Sequence, residues 1–71
     1  MSSTKEILTF IIKEKAHGNT FLELNIQMKI MMKGLNVKGI LEDRIPDSPD
    51  LNEKLKEIAK EFEVDLEKMT G

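Results

Sequence analysis

The chain has 71 residues, of which 39% are hydrophobic, with a formal net charge of −2 and one histidine. It has no cysteine, which excludes disulfides and thiolate metal sites, and its length predicts one small domain over residues 1–71. No signal-peptide pattern or bilayer-spanning apolar run of roughly 20 residues is present, so we expect a cytoplasmic protein without membrane contact.

The charge is distributed unevenly along the chain. Residues 1–41 carry six Lys and three Glu, whereas residues 42–71 carry five basic and ten acidic side chains. This asymmetry predicts either docking of the two halves or a mildly basic face on the first half, although a solvated surface is the simplest explanation.

A first helix is predicted from a capping box at Ser3 and Glu6. Its apolar residues recur at helical spacing, and they are Ile7, Leu8, Phe10, Ile11 and Ile12. His17 and Gly18 predict its end, since a histidine suits the negative end of a helix and glycine adopts the left-handed conformation that stops it.

The stretch from residue 20 to residue 37 is the most apolar part of the chain, and we expect the core to form around it. Thr20 and Glu23 have capping-box spacing, and Gly34 followed by Leu35 is typical of a helix end. On a helical wheel two nearly opposite apolar faces appear, one with Phe21, Leu24, Met28, Met31, Met32 and Leu35 and the other with Leu22, Ile26, Ile30 and Val37. A helix of this kind needs a partner on each side.

Residues 21–32 also fit a strand, because apolar and polar residues alternate from Leu22 to Ile30. Most of these residue types are good helix formers, which favours the helix. The strand, in an α+β fold, remains the alternative.

The second half begins with a short turn that Asn36 could cap, weakened by Gly39. Ser48 and Pro49 are a strong helix start, and the helix is predicted to run to about Glu63. Asp65 is expected to cap a last short turn. The predicted fold is therefore all-α, a small three-helix bundle with one or two extra short helical turns, in which the central helix lies between the other two.

The sequence offers little for catalysis or for binding a cofactor. His17 is the one histidine, no cysteine accompanies it, and the glycines are isolated from one another. The acidic cluster near Asp47 lacks the ligand spacing of a calcium loop. We therefore predict a non-enzymatic protein with no catalytic residues, cofactor or metal.

The methionines near the middle of the chain admit two interpretations. Methionines at helical spacing usually belong to the core, and we interpret them, and Phe10, Phe21 and Phe62, in that way. The alternative is an adaptable surface for a protein partner, formed by Met28, Met31, Met32 and Leu35.

The end of the chain resembles a known family of DNA-binding domains. Arg44, Ile45 and Pro46 are followed by Leu55, Ile58, Ala59, Phe62, Val64 and Met69 at amphipathic spacing. This pattern resembles the closing helices of Cro/repressor-type helix-turn-helix domains over roughly the last 28 residues. Asn25 and Glu63 depart from the family pattern. The resemblance implies nucleic-acid contacts at Lys29, Lys33, Asn36, Lys38 and Arg44.

Two functions follow from these observations. The first is a small helical protein that acts through a protein partner or a homodimer. The second is a helix-turn-helix-like DNA-binding regulator, which the acidic net charge disfavours.

Overall fold

The computed structural model describes residues 3–70, so Met1, Ser2 and Gly71 lie outside the described residues. Its elements are α1 Thr4–Ala16, α2 Thr20–Met32, α3 Val37–Leu41, α4 Pro49–Glu61 and a 3₁₀ helix Leu66–Thr70. Residues 3–70 contain no strand, which confirms the predicted all-α class. The strand alternative for residues 21–32 is wrong, because the good helix formers of this segment continue a helix that is capped at its start.

The start of α1 forms the predicted capping box. The Glu6 N–H donates to Ser3 Oγ at 3.1 Å, and the Ser3 N–H donates to Glu6 Oε1 at 3.0 Å. The hydrogen bond from the Ser3 N–H to the Glu6 carboxylate lowers the pKa of this carboxyl below its ordinary value, and a hydrogen bond from the Ser3 side chain adds to the effect, because both favour the charged form. The start of α2 differs from the prediction by one residue, since the Asn19 side chain accepts the Leu22 N–H and Thr20 is already helical.

The remaining predicted caps are present. Asn36 Oδ1 accepts the Gly39 N–H at 2.9 Å, and Ser48 Oγ accepts the Leu51 N–H at 3.4 Å in front of Pro49. Before the 3₁₀ helix, Asp65 Oδ1 accepts the Glu67 N–H at 3.0 Å. Local cap chemistry therefore determines where these elements begin.

The helix ends use left-handed residues. Gly34 has a φ of 98° after α2, as its sequence position predicts. His17 and Gly18 both have positive φ values after α1, of 51° and 81°, so the histidine itself adopts the left-handed conformation there. Glu63 does the same after α4, which ends at Glu61, two residues before the predicted end.

The core is organised around α1, which packs against α2, α3, α4 and the 3₁₀ helix. Its buried side chains include the predicted stripe, with Phe10 only partly buried at its margin. The complete apolar core consists of Ile7, Leu8, Ile11, Ile12, Ala16, Ile26, Ile30, Leu35, Val37, Ile40, Leu55, Ile58 and Ala59.

The prediction that α2 lies at the centre of the bundle is wrong. Only Ile26 and Ile30 of α2 are buried, and α4 packs against α1 instead of covering the second face of α2. Thr4, the first residue of α1, is 1% exposed and holds the start of α4 beside α1. Thr4 Oγ1 donates to Asn52 Oδ1 at 2.6 Å and accepts the Ser48 N–H at 3.0 Å, and the Thr4 N–H donates to Asp47 Oδ1.

Gly39, which we expected to weaken α3, lies in close contact with two side chains. A Cβ atom at this position would lie 2.7 Å from Ile45 Cδ1 and 2.8 Å from Asn36 Nδ2. Any side chain would therefore displace the asparagine that caps the same helix.

Ion pairs join the basic and the acidic half of the chain. Lys5 Nζ lies 3.0 Å from Asp43 Oδ2, and Lys33 Nζ lies 2.7 Å from Glu61 Oε2. These contacts agree with the predicted docking of the two halves. All these side chains are at least partly exposed, so each pair contributes at most about 1 kcal/mol.

The Thr4 hydrogen bonds give the first testable prediction. Replacing Thr4 by valine keeps the shape of the side chain but leaves the Ser48 N–H and the side-chain oxygen of Asn52 without their partner. We expect the free energy of unfolding to fall by about 2–3 kcal/mol, measured by urea denaturation. Thr9→Val, at a partly exposed position of the same helix, is the matched control and should change it by less than about 0.5 kcal/mol. Equal effects of the two substitutions would contradict the role of Thr4.

Candidate functional site

The most unusual feature of the surface lies on α2. Five large apolar side chains share one side of this helix, and we call them the α2 apolar face: Phe21, Leu24, Met28, Met31 and Met32. Phe21 is 81% exposed and Met32 is 85% exposed. Soluble proteins normally scatter exposed apolar residues singly, and a contiguous group of them indicates an interaction surface.

The α2 apolar face results from how α2 is anchored. At about 100° per residue, Ile26 and Ile30 lie nearly opposite Met28. These two isoleucines pack against α1 and the core, so the opposite side of the helix must face solvent. Leu22 lies at the flank and is 43% exposed.

The interpretation of the central methionines as core is therefore wrong, and so is the same interpretation of Phe21. Of the four residues predicted as a partner surface, Met28, Met31 and Met32 are exposed and lie together on the α2 apolar face. Leu35 is only 4% exposed, because the chain turns inward after Gly34 and inserts this side chain into the core. The predicted surface omitted Phe21 and Leu24, which are exposed on the same side of α2. Their positions on the helical wheel already grouped them with the methionines.

Few charges surround the α2 apolar face. Its immediate neighbours on the helix, Asn25 and Gln27, are uncharged. Of the closest charged residues of α2, Glu23 lies towards the side that contacts the rest of the protein, whereas Lys29 is exposed and stands beside Met32 at the edge of the face. Depletion of charge with enrichment of methionine and phenylalanine is the composition found at the centre of protein interfaces.

An open groove continues the α2 apolar face towards α4. It has a volume of about 410 Å³ and is lined by Lys29, Met32, Lys33 and Phe62. Phe62 is half-buried against the core and forms the apolar floor on the α4 side. The groove is therefore a place where an apolar side chain of a partner could insert beside Met32.

A second groove, of about 430 Å³, lies between α1 and the 3₁₀ helix. Phe10 and Met69 line it, and Lys5, Lys13 and Lys68 stand around it. Two of these lysines already form ion pairs, Lys5 with Asp43 and Lys68 with Glu14. Its charges are thus partly neutralised within the chain.

The residues predicted to contact nucleic acid do not form one basic patch of unpaired charges. Lys33 is paired with Glu61, and Arg44 Nη2 lies 3.0 Å from Glu42 Oε1. Asn36 uses its side-chain oxygen to cap α3. Lys29 and Lys38 have no ion-pair partner within residues 3–70, but they lie on different helices.

The helix that would enter the major groove is also short. In helix-turn-helix proteins the second helix of the motif presents several side chains to the bases. Here that position is occupied by α3, which has five residues, of which Val37, Gly39 and Ile40 are buried. Lys38 is the one exposed side chain that α3 offers.

The described residues contain little that could support catalysis. His17 is exposed at the end of α1. Within residues 3–70 no group of three or more histidine, aspartate or glutamate side chains could hold a metal ion. None of the described helices combines the length and the apolar character needed to cross a membrane.

Comparison of the chain with models of known families, with characterised proteins and with solved structures gave no match.

The charges around the predicted nucleic-acid residues generate a testable prediction. We expect fluorescence anisotropy of mixed-sequence duplex DNA at low salt to show no binding, because ion pairs and nearby acidic residues offset the available lysines. A contact to phosphates would instead give an affinity that falls steeply as salt is added. Binding that is lost on Lys38→Glu but kept in Lys60→Glu, at an exposed position of α4, would contradict this expectation and support the DNA-binding hypothesis.

Proposed function

We propose that this chain acts by binding a protein through the α2 apolar face, and that it has no catalytic activity of its own. The observation that carries the proposal is the exposure of five large apolar side chains on one side of a single helix. Helices with such a side commonly dock into an apolar groove or against another helix.

The energetics favour a partner that is itself apolar. The exposed fractions of the α2 apolar face add up to a little over three fully exposed side chains. Burying one such side chain gains about 1.5–3 kcal/mol, whereas association costs about 4–15 kcal/mol. This face alone barely offsets that cost, so a stable complex needs a comparable apolar contribution from the partner.

The methionines favour a surface that adapts to its partner. Met28, Met31 and Met32 have flexible, unbranched side chains that fill irregular gaps. Phe21 and Leu24, which are stiffer, provide the defined anchors at the beginning of the helix. This combination is suited to close packing against another helix.

A substitution at the centre of the α2 apolar face tests the proposal. Leu24→Lys places a charge in the face but leaves the core intact, so the free energy of unfolding should change by less than about 0.5 kcal/mol. Partner binding should be lost. Glu57→Gln, which makes the same change in net charge on the exposed side of α4, is the matched control.

The measurement is retention of proteins from a lysate of the producing cells on immobilised wild-type chain and on both variants, with identification by mass spectrometry. We expect at least one protein to be retained by wild type and by Glu57→Gln but not by Leu24→Lys. This protein can be a further copy of the chain itself. Identical retention by all three chains would exclude the α2 apolar face as the binding surface.

A further inference from the structure

The exposed residues of α2 are spaced symmetrically. Phe21, Leu24, Met28 and Met31 follow one another at intervals of three, four and three residues. This spacing is that of the two apolar positions of a heptad repeat, and it is the same in either chain direction. A second α2 that runs antiparallel can therefore be superposed on the first so that apolar residue faces apolar residue along the whole helix.

We infer that the occupant of the α2 apolar face is a second copy of this chain, packed as an antiparallel two-fold pair of α2 helices. This inference rests on the proposed function and specifies its partner. The register places Phe21 opposite Met31 of the second copy and Leu24 opposite Met28 of the second copy. Because the two-fold axis repeats each contact, the interface has four apolar layers.

The groove beside Met32 fits the same arrangement. In a two-fold antiparallel pair, the same side of each helix meets its own copy. Phe21 leans towards the side of α2 on which Met32 and Lys29 lie, as the helical wheel shows. Phe21 of the second copy therefore reaches the groove of about 410 Å³ between Met32 and Phe62. There its ring can contact a methionine sulfur and an aromatic ring, both of which are favourable partners.

The lack of charge on the α2 apolar face also favours self-association. At a two-fold interface, each residue lies near the same residue of the second copy or near its sequence neighbours. Two faces that carry the same charge would therefore repel each other. Thr20, Asn25 and Gln27, which border the apolar layers, are all uncharged. A second copy needs no complementary charge along these layers.

The area agrees with a reversible dimer. Each copy contributes the same apolar side chains, so the second copy supplies the comparable apolar surface that a stable complex requires. One helix face per chain is small compared with the interfaces of obligate dimers, which bury about 2,000 Å² or more. The dimer should therefore dissociate on dilution.

Cysteine cross-linking tests the arrangement directly, because the chain has no native cysteine. Leu24→Cys and Met28→Cys chains are mixed in equal amounts, oxidised mildly and analysed by mass spectrometry. The antiparallel register places these two positions opposite each other, so the disulfide between the two different chains should be the main product. Disulfides between identical chains should be minor, because the two copies of either position are offset by about 6 Å along the helix axis as well as across the interface.

Glu57→Cys is the control for random collision, since its side chain lies on the exposed side of α4. Sedimentation equilibrium of the wild-type chain accompanies the cross-linking. We expect the apparent mass to rise from one chain towards two with concentration, and to stay at one chain for Leu24→Lys.

Three results would overturn the inference. The first is a predominance of disulfides between identical chains, which indicates parallel pairing. The second is cross-linking no greater than with Glu57→Cys. The third is a wild-type mass that stays at one chain at every concentration. If cross-linking is no greater than with Glu57→Cys, or the mass stays at one chain, while Leu24→Lys still abolishes retention of a different protein, the second copy is excluded and the proposed function stands. If that retention is also unaffected by Leu24→Lys, the proposed function fails as well.

Discussion

Burial of α1 against every other element is the constraint on which the rest of the structure depends. Its apolar stripe supplies Ile7, Leu8, Ile11 and Ile12 to the core, and α2, α3, α4 and the 3₁₀ helix all pack against it. A domain of this size has little core to spare, so the helix that contacts most neighbours determines where the others can lie. The buried hydroxyl of Thr4 fixes the start of α4 beside the start of α1, and α4 then follows α1 instead of covering α2.

The exposed side of α2 is a consequence of this arrangement. Ile26 and Ile30 are the residues by which α2 is held, and the opposite side faces solvent. An apolar face in water carries a cost in solubility and in non-specific association, which polar substitutions could remove without loss of core packing. The exposure of Phe21, Leu24 and three methionines at these positions is explained if another protein surface covers them, and their symmetric spacing fits a second copy.

Much of the local structure could be predicted from the sequence, because helix starts depend on a few neighbouring residues. Ser3, Asn36, Ser48 and Asp65 all cap the elements that they were expected to cap. The tertiary arrangement could not be predicted in the same way. A helical wheel shows that α2 has two apolar faces, but it does not show which of them a neighbour will cover. The contacts that hold α4 beside α1 are long-range, and the hydrogen bonds of Thr4 among them join residues that lie 43 to 48 positions apart.

The most direct measurement is the solvent accessibility of the methionine methyl groups. It is made by NMR on chain that is labelled at these methyls, with a soluble paramagnetic agent added. At the lowest concentration, the signals of Met28, Met31 and Met32 should broaden strongly, whereas Met69, which packs partly against the core, should broaden less. As the concentration of the chain is raised, the three α2 methyls should become protected while Met69 stays unchanged. Protection of Met28, Met31 and Met32 in a sample whose mass in sedimentation equilibrium is that of one chain would show that they belong to the core of a single chain and would contradict the account.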